Sequence, residues 1–240
     1  MAKAIATQIR NMKLTAELVA RVERMEPDPG PELGTAEYTD AEYDAMVEAL
    51  LSEHAPLQLW VFAYGSLIWN PEFEFLESRS ATANGWHRSF CFKVTRWRGT
   101  RELPGLMLAL DRGGSCKGLA YRLPAQDHFG QLGLLLRREL DDKPSTNVPR
   151  WIAVKTEKGT VRALAFVAAP GGRAYVGKLP MEKVAHILAR AAGSWGSTAQ
   201  YLFKTVSKLE EHGIRDRNLW RIKHLVAQEI ENEAFVPKQT

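Results

Sequence analysis

Between Trp60 and Ala168 the chain is written in short apolar and β-branched runs separated by turn residues. From Met181 onward it changes to the wider spacing of amphipathic helices. Strands first and helices late, with one helix between strands, is the pattern of a mixed α+β domain built on a strongly curved sheet. The spacing predicts strands over 85–95, 106–110, 117–123, 150–156 and 161–168, with turns at "DRGGS" and "EKGT". It predicts helices from Gln126 to about Leu140, over 181–192, over 198–212 with Gly213 as the stop, and over 216–233. Upstream, a periodic run from Leu14 to Met25 is ended by the Pro- and Gly-dense "EPDPGPELGTAEY". Thr39-Asp40 then caps a helix to about Glu53, with Tyr43, Met46, Val47 and Leu50 on one face. The chain therefore divides into an N-terminal helical arm, 1–56, and a main domain, 57–240.

At 240 residues and 45% apolar content, a large core is within reach. The formal charge of +4 is mild and the basic residues are interspersed with acidic ones, so no nucleic-acid partner is called for. An anionic small substrate suits that balance. Cys91 and Cys116 lack CxxC spacing, and "MAKAIATQIRNMK" has no apolar run, which reads as a reduced, cytoplasmic protein. No stretch reaches the length of a membrane span. The six histidines are dispersed, with no HExxH and no Cys/His cluster, so no metal site is expected.

Two places carry chemistry. The helix at 126–140 has an apolar stripe through Phe129, Leu132 and Leu136 whose next position is Glu139. A carboxylate there is either a general base or acid with a pKa raised by desolvation, or a surface partner of Arg137 or Arg138 where the helix frays. The second place is "WVFAYGSLIW", 60–69, where Tyr64-Gly65-Ser66 interrupts the most apolar strand. That interruption is either an ordinary tight turn or a set of main-chain donors for a carboxylate or a developing oxyanion. Ser66 is not in a GxSxG elbow, and "DRGGSCKG" reads as a hairpin turn rather than a phosphate loop. Cys91, in an aromatic strand, and Cys116, after that turn, read as packing residues. "KVTRWRGTR", 93–101, offers an arginine for a carboxylate beside a pocket.

Taken together, "WVFAYGSLIWNP" (60–71), "GWHRSFCFKVTRWRGTRELPGLMLALDRGGSCKGLAYRL" (85–123), "LLRRE" (135–139), "VPRW" (148–151), "RALAFVA" (162–168) and "GSWGSTAQYLFKTVSKLEEHGIRD" (193–216) resemble the ChaC family of glutathione-specific γ-glutamylcyclotransferases. The resemblance implies a small closed β-barrel flanked by helices, with the arm as an extension. It implies an enzyme that cyclises the γ-glutamyl group of glutathione to 5-oxoproline, releasing cysteinylglycine without a cofactor. Glu139 matches the family's catalytic glutamate, and Val61, Phe62, Ala63, Tyr64, Gly65 and Ser66 match its substrate-binding loop. Two departures stand out: Ala63 where many members have Gly, and "LDDKPSTNVPRW" where relatives often carry aromatic residues before "PRW". The second leaves other γ-glutamyl amines or dipeptides open as substrates. The family's older name adds a non-catalytic regulator of cation transport as a rival, without a basic amphipathic surface to support it.

Overall fold

A computed structural model describes residues 13–140 and 142–233. The first twelve residues of the expected arm, with the opening segment read for a leader, lie outside the described residues, as does the tail 234–240. Helices α1 (Ala16–Val22) and α2 (Asp40–Glu53) precede strand β1 (Trp60–Ala63), the one-turn helix α3 (Ser66–Trp69) and the long strands β2 (Glu77–Val94) and β3 (Gly105–Arg122). Helix α4 (His128–Glu139) leads to β4 (Asn147–Thr156) and β5 (Gly159–Ala168). Then come α5 (Met181–Leu188), the two-residue strands β6 (Ala192–Gly193) and β7 (Gly196–Ser197), α6 (Thr198–Glu211) and α7 (Arg217–Glu233).

The five longer strands close into a barrel in the order β1-β3-β2-β4-β5, with Val61 of β1 lying parallel beside Leu164 of β5. Closure pairs strand edges that would otherwise be exposed. Alternate residues feed two cores. Trp60 and Phe62 of β1, Ala163, Ala165 and Val167 of β5, and Ile152 and Val154 of β4 pack together in a cluster drawn almost wholly from strands, the barrel interior. Val61 and Ala63, with Leu164 and Phe166, join instead the larger core shared with the helices.

The arm is part of that larger core. Leu18 and Val19 of α1 and Tyr43, Val47 and Leu50 of α2 are buried in it. The α2 cap forms as expected, a capping box in which Thr39 and Glu42 satisfy each other's backbone donors. Tyr43 Oη donates to the Leu140 carbonyl at 2.7 Å, and Trp151 Nε1 donates to the Leu50 carbonyl at 3.0 Å.

Several expectations need correction. The strands expected at 106–110 and 117–123 are one strand, β3, and "DRGGS" lies inside it rather than in a turn. Asp111 sits opposite His87 and Ser115 opposite Asn84, across a register shift at Asn84/Trp86. Gly113 and Gly114, at φ of 100° and 69°, take up that irregularity and bend the strand. Glycine pairs usually mark turns; in a strand that must curve round a barrel they mark the bend. Cys116 accordingly sits within β3, buried in the barrel interior, and does not follow a turn. Strand β2 starts at Glu77, eight residues before the expected start, because Ala81 and Ala83 are small enough to point into the barrel without an aliphatic run to advertise it. Leu67-Ile68-Trp69, read as a resumed wall strand, is α3. Helix α4 begins at His128 and α5 ends at Leu188, both shorter than their periodic runs. "EKGT" is a hairpin connection, with Thr156 opposite Gly159.

The β1–β3 pairing depends on Gly118, where a Cβ would collide with the Ala63 carbonyl oxygen and approach Phe62 Cζ at 2.9 Å. We expect Gly118→Ala to destabilise the protein by about 1–3 kcal/mol, the usual range for overpacking. Denaturant unfolding measures it, and an unchanged midpoint would refute the tight approach.

Candidate active site

Helix α4 runs to Glu139 because Leu140 leaves the helical region while its N–H still bonds the Leu136 carbonyl. Asp127 caps the other end by accepting from Gly130 N–H at 2.9 Å. The buried face is Leu132, Leu135 and Leu136; Phe129, expected on that stripe, is 40% exposed. Glu139 follows Leu135 by four residues and Leu136 by three, so the same face carries it inward. Its side chain is 16% exposed. Tyr43, by donating to the Leu140 carbonyl, fixes the end of α4 that presents the carboxylate.

The surroundings of Glu139 bear on both of its readings. Arg138 Nε approaches Oε1 at 3.2 Å and Asn147 Nδ2 lies 3.4 Å from Oε2. Arg138 is itself shared with Glu72, Nη1 to Oε2 at 3.0 Å. The helix does not fray before Glu139, and Arg137 turns away to Asp40 at 2.7 Å. Burial pushes the Glu139 carboxyl pKa up, against the lowering effect of Arg138 and Asn147 and with a small further push from Glu72. An ion pair therefore exists, but desolvation outweighs it.

A cavity of about 670 Å³, within the usual range for small-molecule sites, is lined by Glu139, Tyr64, Gly65, Ser66, Trp69 and Tyr201 among others. It opens where the end of β1, α3, the ends of β2 and β3, the last turn of α4 and the start of α6 meet. Tyr64 is buried and its Oη donates to the Phe166 carbonyl at 2.8 Å. Its own carbonyl accepts from Arg88 Nε at 2.6 Å. Gly65 lets the turn pass close to Tyr201, whose hydroxyl would be 3.2 Å from a Cβ there. The first N–H groups of α3 follow directly and have no acceptor within the helix. Burial raises the hydroxyl pKa of both Tyr64 and Tyr201, and the Glu139 charge adds to it in each case, so all three groups share one electrostatic neighbourhood.

Of the expected loop residues, Tyr64, Gly65 and Ser66 line the cavity. Val61, Phe62 and Ala63 are fully buried in the barrel wall and contribute no lining surface. Ala63 is extended and paired with Leu119, so it meets no positive-φ demand. The run 93–101 supplies Arg96 and Arg98 to the lining; Arg98 is 5% exposed and donates to the Ser197 carbonyl at 2.8 Å. Cys91 and Cys116 are buried free thiols whose pKa burial raises to about 12 and about 11, inert packing groups as expected.

Sequence reasoning passed over Tyr201, Asn147, Arg88 and Trp69. Tyr201 sits on α6 amid a buried face with Leu202 and Thr205 and carries no periodic signal of its own. Asn147 lies in the segment noted as a departure, and that departure was the available signal. The lining has six cationic side chains, Lys93, Arg96, Arg98, Arg137, Arg138 and Arg173, against four carboxylates, and two of the six, Arg96 and Arg137, are paired with Asp28 and Asp40 outside the lining. Among the described residues no three His, Cys, Asp or Glu side chains group as a metal site, and no helix is long and apolar enough to cross a membrane.

A family model described as ChaC-like protein matches residues 59–229. A glutathione-specific γ-glutamylcyclotransferase of Escherichia coli (strain K12) is 38% identical over 184 residues, 75% of this chain and 79% of that protein. Glutathione-specific γ-glutamylcyclotransferase 1 of Mus musculus is 33% identical over 156 residues, 62% of this chain and 68% of that protein. Among solved structures, a γ-glutamyl cyclotransferase specific to glutathione from yeast superposes with a TM-score of 0.65 at 20% identity, over 72% of this chain and 96% of that one. At that identity it speaks for the fold alone.

The raised Glu139 pKa has a stability consequence. A carboxyl whose folded-state pKa lies above its unfolded value stabilises the fold below the unfolded pKa, and that contribution is lost as pH rises through the folded pKa. At neutral pH the ionised Glu139 is therefore a cost, and Glu139→Gln should melt at a higher temperature than the wild type. The gap should narrow as pH falls below about 4, the unperturbed glutamate range. Thermal melts across pH test this; a variant that melts lower at neutral pH and level at low pH would reverse the sign.

Proposed function

The chain belongs to the ChaC-like protein family, and from that premise we propose that it is a glutathione-specific γ-glutamylcyclotransferase. The observation that carries the reading is the shared cavity: a desolvated carboxylate, Glu139, in one electrostatic neighbourhood with the Tyr64-Gly65-Ser66 turn, inside a lining with more cations than carboxylates. Glutathione at neutral pH carries two carboxylates and one ammonium, and the lining offers both cations and carboxylates to them.

The reaction is intramolecular. The α-nitrogen of the γ-glutamyl group attacks its own γ-carbonyl carbon, a C–N bond forms and closes a five-membered lactam, and the C–N bond to the cysteinyl amine breaks. The products are 5-oxoproline and cysteinylglycine, with no water consumed. Because both reacting atoms belong to one molecule, folding the γ-glutamyl chain into its attacking shape supplies much of the rate. Glu139 takes the proton from the α-ammonium and returns it to the departing amine. This two-way role calls for a carboxyl that ionises closer to neutrality than a free glutamate, as burial provides here. Main-chain N–H groups at Gly65 and Ser66 are the donors available to the tetrahedral oxyanion or to the glutamyl carboxylate. Asn147 Nδ2 and Arg138 hold the two oxygens of Glu139 and thereby orient it. The family match from residue 59 onward supports 57–240 as the catalytic domain, with 13–56 as an arm packed on it. Two buried thiols without a disulfide fit a cytoplasmic setting.

Incubating the protein with glutathione should yield equimolar 5-oxoproline and cysteinylglycine by mass spectrometry. Glu139→Gln should lower kcat by about 10²–10⁴-fold, the usual worth of a proton-transfer group, with KM little changed. The acidic limb of the wild-type pH profile should lie above the ordinary carboxylate range. Arg138→Gln should move it further up, because a cation that lowers the Glu139 pKa is removed. Comparable turnover by Glu139→Gln would sink the assignment.

A further inference from the structure

The cavity lining holds an aromatic feature to which the cyclisation chemistry assigns no role. Trp97 and Trp195 both contribute to the lining and stack with ring centroids 4.3 Å apart at an interplanar angle of 24°. The Arg96 guanidinium lies over the Trp97 ring, 3.9 Å from its centroid, and is itself held by Asp28 of the arm at 2.7 and 2.8 Å. Trp195 is 55% exposed, so a large apolar surface is kept in water rather than buried. Trp97 also sits at φ 66°, a left-handed backbone that bulky side chains avoid. The Trp195 N–H holds it there by donating to the Trp97 carbonyl at 2.7 Å. Strained residues of this kind gather at ligand clamps, and this one carries its ring to the rim of a cavity.

Depth in the cavity says which part of a substrate would meet the stack. On the cyclotransferase reading the γ-glutamyl group reacts beside Glu139, whose side chain is 16% exposed among the buried Tyr64 and Tyr201; Trp195, 55% exposed, lines the outer part of the cavity, toward which the leaving amine and its substituents would extend. Trp97 is covered by Arg96 on one face and Trp195 on the other, so, resting on the cyclotransferase reading, we propose that the outer face of Trp195, backed by Trp97, is a subsite for a planar aromatic group carried by the leaving amine. The substrate class is an aryl S-conjugate of glutathione or a γ-glutamyl aromatic amino acid. Indole faces favour offset stacking with aromatic rings, and the Arg96 cation on Trp97 polarises the pair. The bonds made and broken are those of the parent reaction, with 5-oxoproline as the common product.

The test compares kcat/KM, read as 5-oxoproline release by the full chain, for S-benzylglutathione against S-methylglutathione and for γ-glutamylphenylalanine against γ-glutamylalanine. In at least one pair the wild type should prefer the aromatic member by about tenfold, a gain within reach of one stacking contact. Trp195→Ala should bring that ratio close to one, Trp195→Phe should keep most of it, and Trp97→Gly, which suits a positive φ, should also lower it. A preference confined to the first pair assigns the aryl group to sulfur, and one confined to the second assigns it to the amino acid. If Trp195→Ala lowers both members of each pair equally, or the wild type shows no aromatic preference, the subsite is refuted while the parent activity stands. If no substrate yields 5-oxoproline, the parent reading fails. Calorimetric titration of S-benzylglutathione then decides the subsite alone: weaker binding to Trp195→Ala supports it, and equal affinity overturns it.

Discussion

One buried arginine ties the elements of the site together. The Arg88 side chain is 2% exposed and spends its donors on three separate parts of the chain. Nε bonds the Tyr64 carbonyl at the end of β1, Nη2 bonds the Lys117 carbonyl in β3, and Nη1 pairs with Asp216 Oδ2 at 2.9 Å. The other Asp216 oxygen accepts from the N–H groups of Asn218 and Leu219 at 3.1 Å each, starting α7. A guanidinium can reach three separated acceptors at once because its donors are spread over three nitrogens in a planar fork; a lysine's donors all radiate from a single nitrogen. Burying a charge is costly unless every donor is used, and here the cost is offset by holding the carbonyl that immediately precedes the Gly65-Ser66 donors. Barrel, turn and C-terminal helix thus share one node.

The second constraint works against stability. Glu139 is carried inward by the apolar face of α4, braced at its helix end by Tyr43, and oriented by Arg138 and Asn147. Were the aim only to fold, leucine would serve that position better. Two hydrogen-bonding partners are enough to keep the carboxylate in place without returning its pKa to the ordinary range. That balance is what proton transfer in both directions requires, since a fully compensated carboxylate would be too weak a base and an uncompensated one would stay protonated.

How much of this was legible in the sequence follows from which signals are local. The capping box at Thr39 and Glu42, the Glu139 position on an apolar stripe and the small polar turn at 64–66 are local patterns, and the structure retains all three. Barrel closure came only with the family resemblance, because pairing β1 with β5 joins residues a hundred positions apart. "DRGGS" misled for a physical reason: two positive-φ glycines make a turn between short strands and a bend within a long one, and the difference lies in partners they do not encode. Arg88 was invisible in the same way. Its role depends on Tyr64, Lys117 and Asp216 converging, and nothing in "GWHRSF" announces a buried cation.

The two places where the sequence departs from the pattern that the resemblance implies act at different depths. Ala63 changes little, since an extended, paired residue tolerates a methyl group where glycine is common. The segment before Pro149 matters more, because it places Asn147 against the Glu139 carboxylate, donating to both its side chain and its main-chain carbonyl. An aromatic residue could pack in that place, but an amide can orient a carboxylate and restrain the last turn of its helix together. The arm compounds the effect: Tyr43 braces that turn from the other side, and Pro31, Glu32 and Thr35 extend the cavity wall. The arm, which lies outside the family match, thus shapes both the posture of Glu139 and the wall of the cavity beside it.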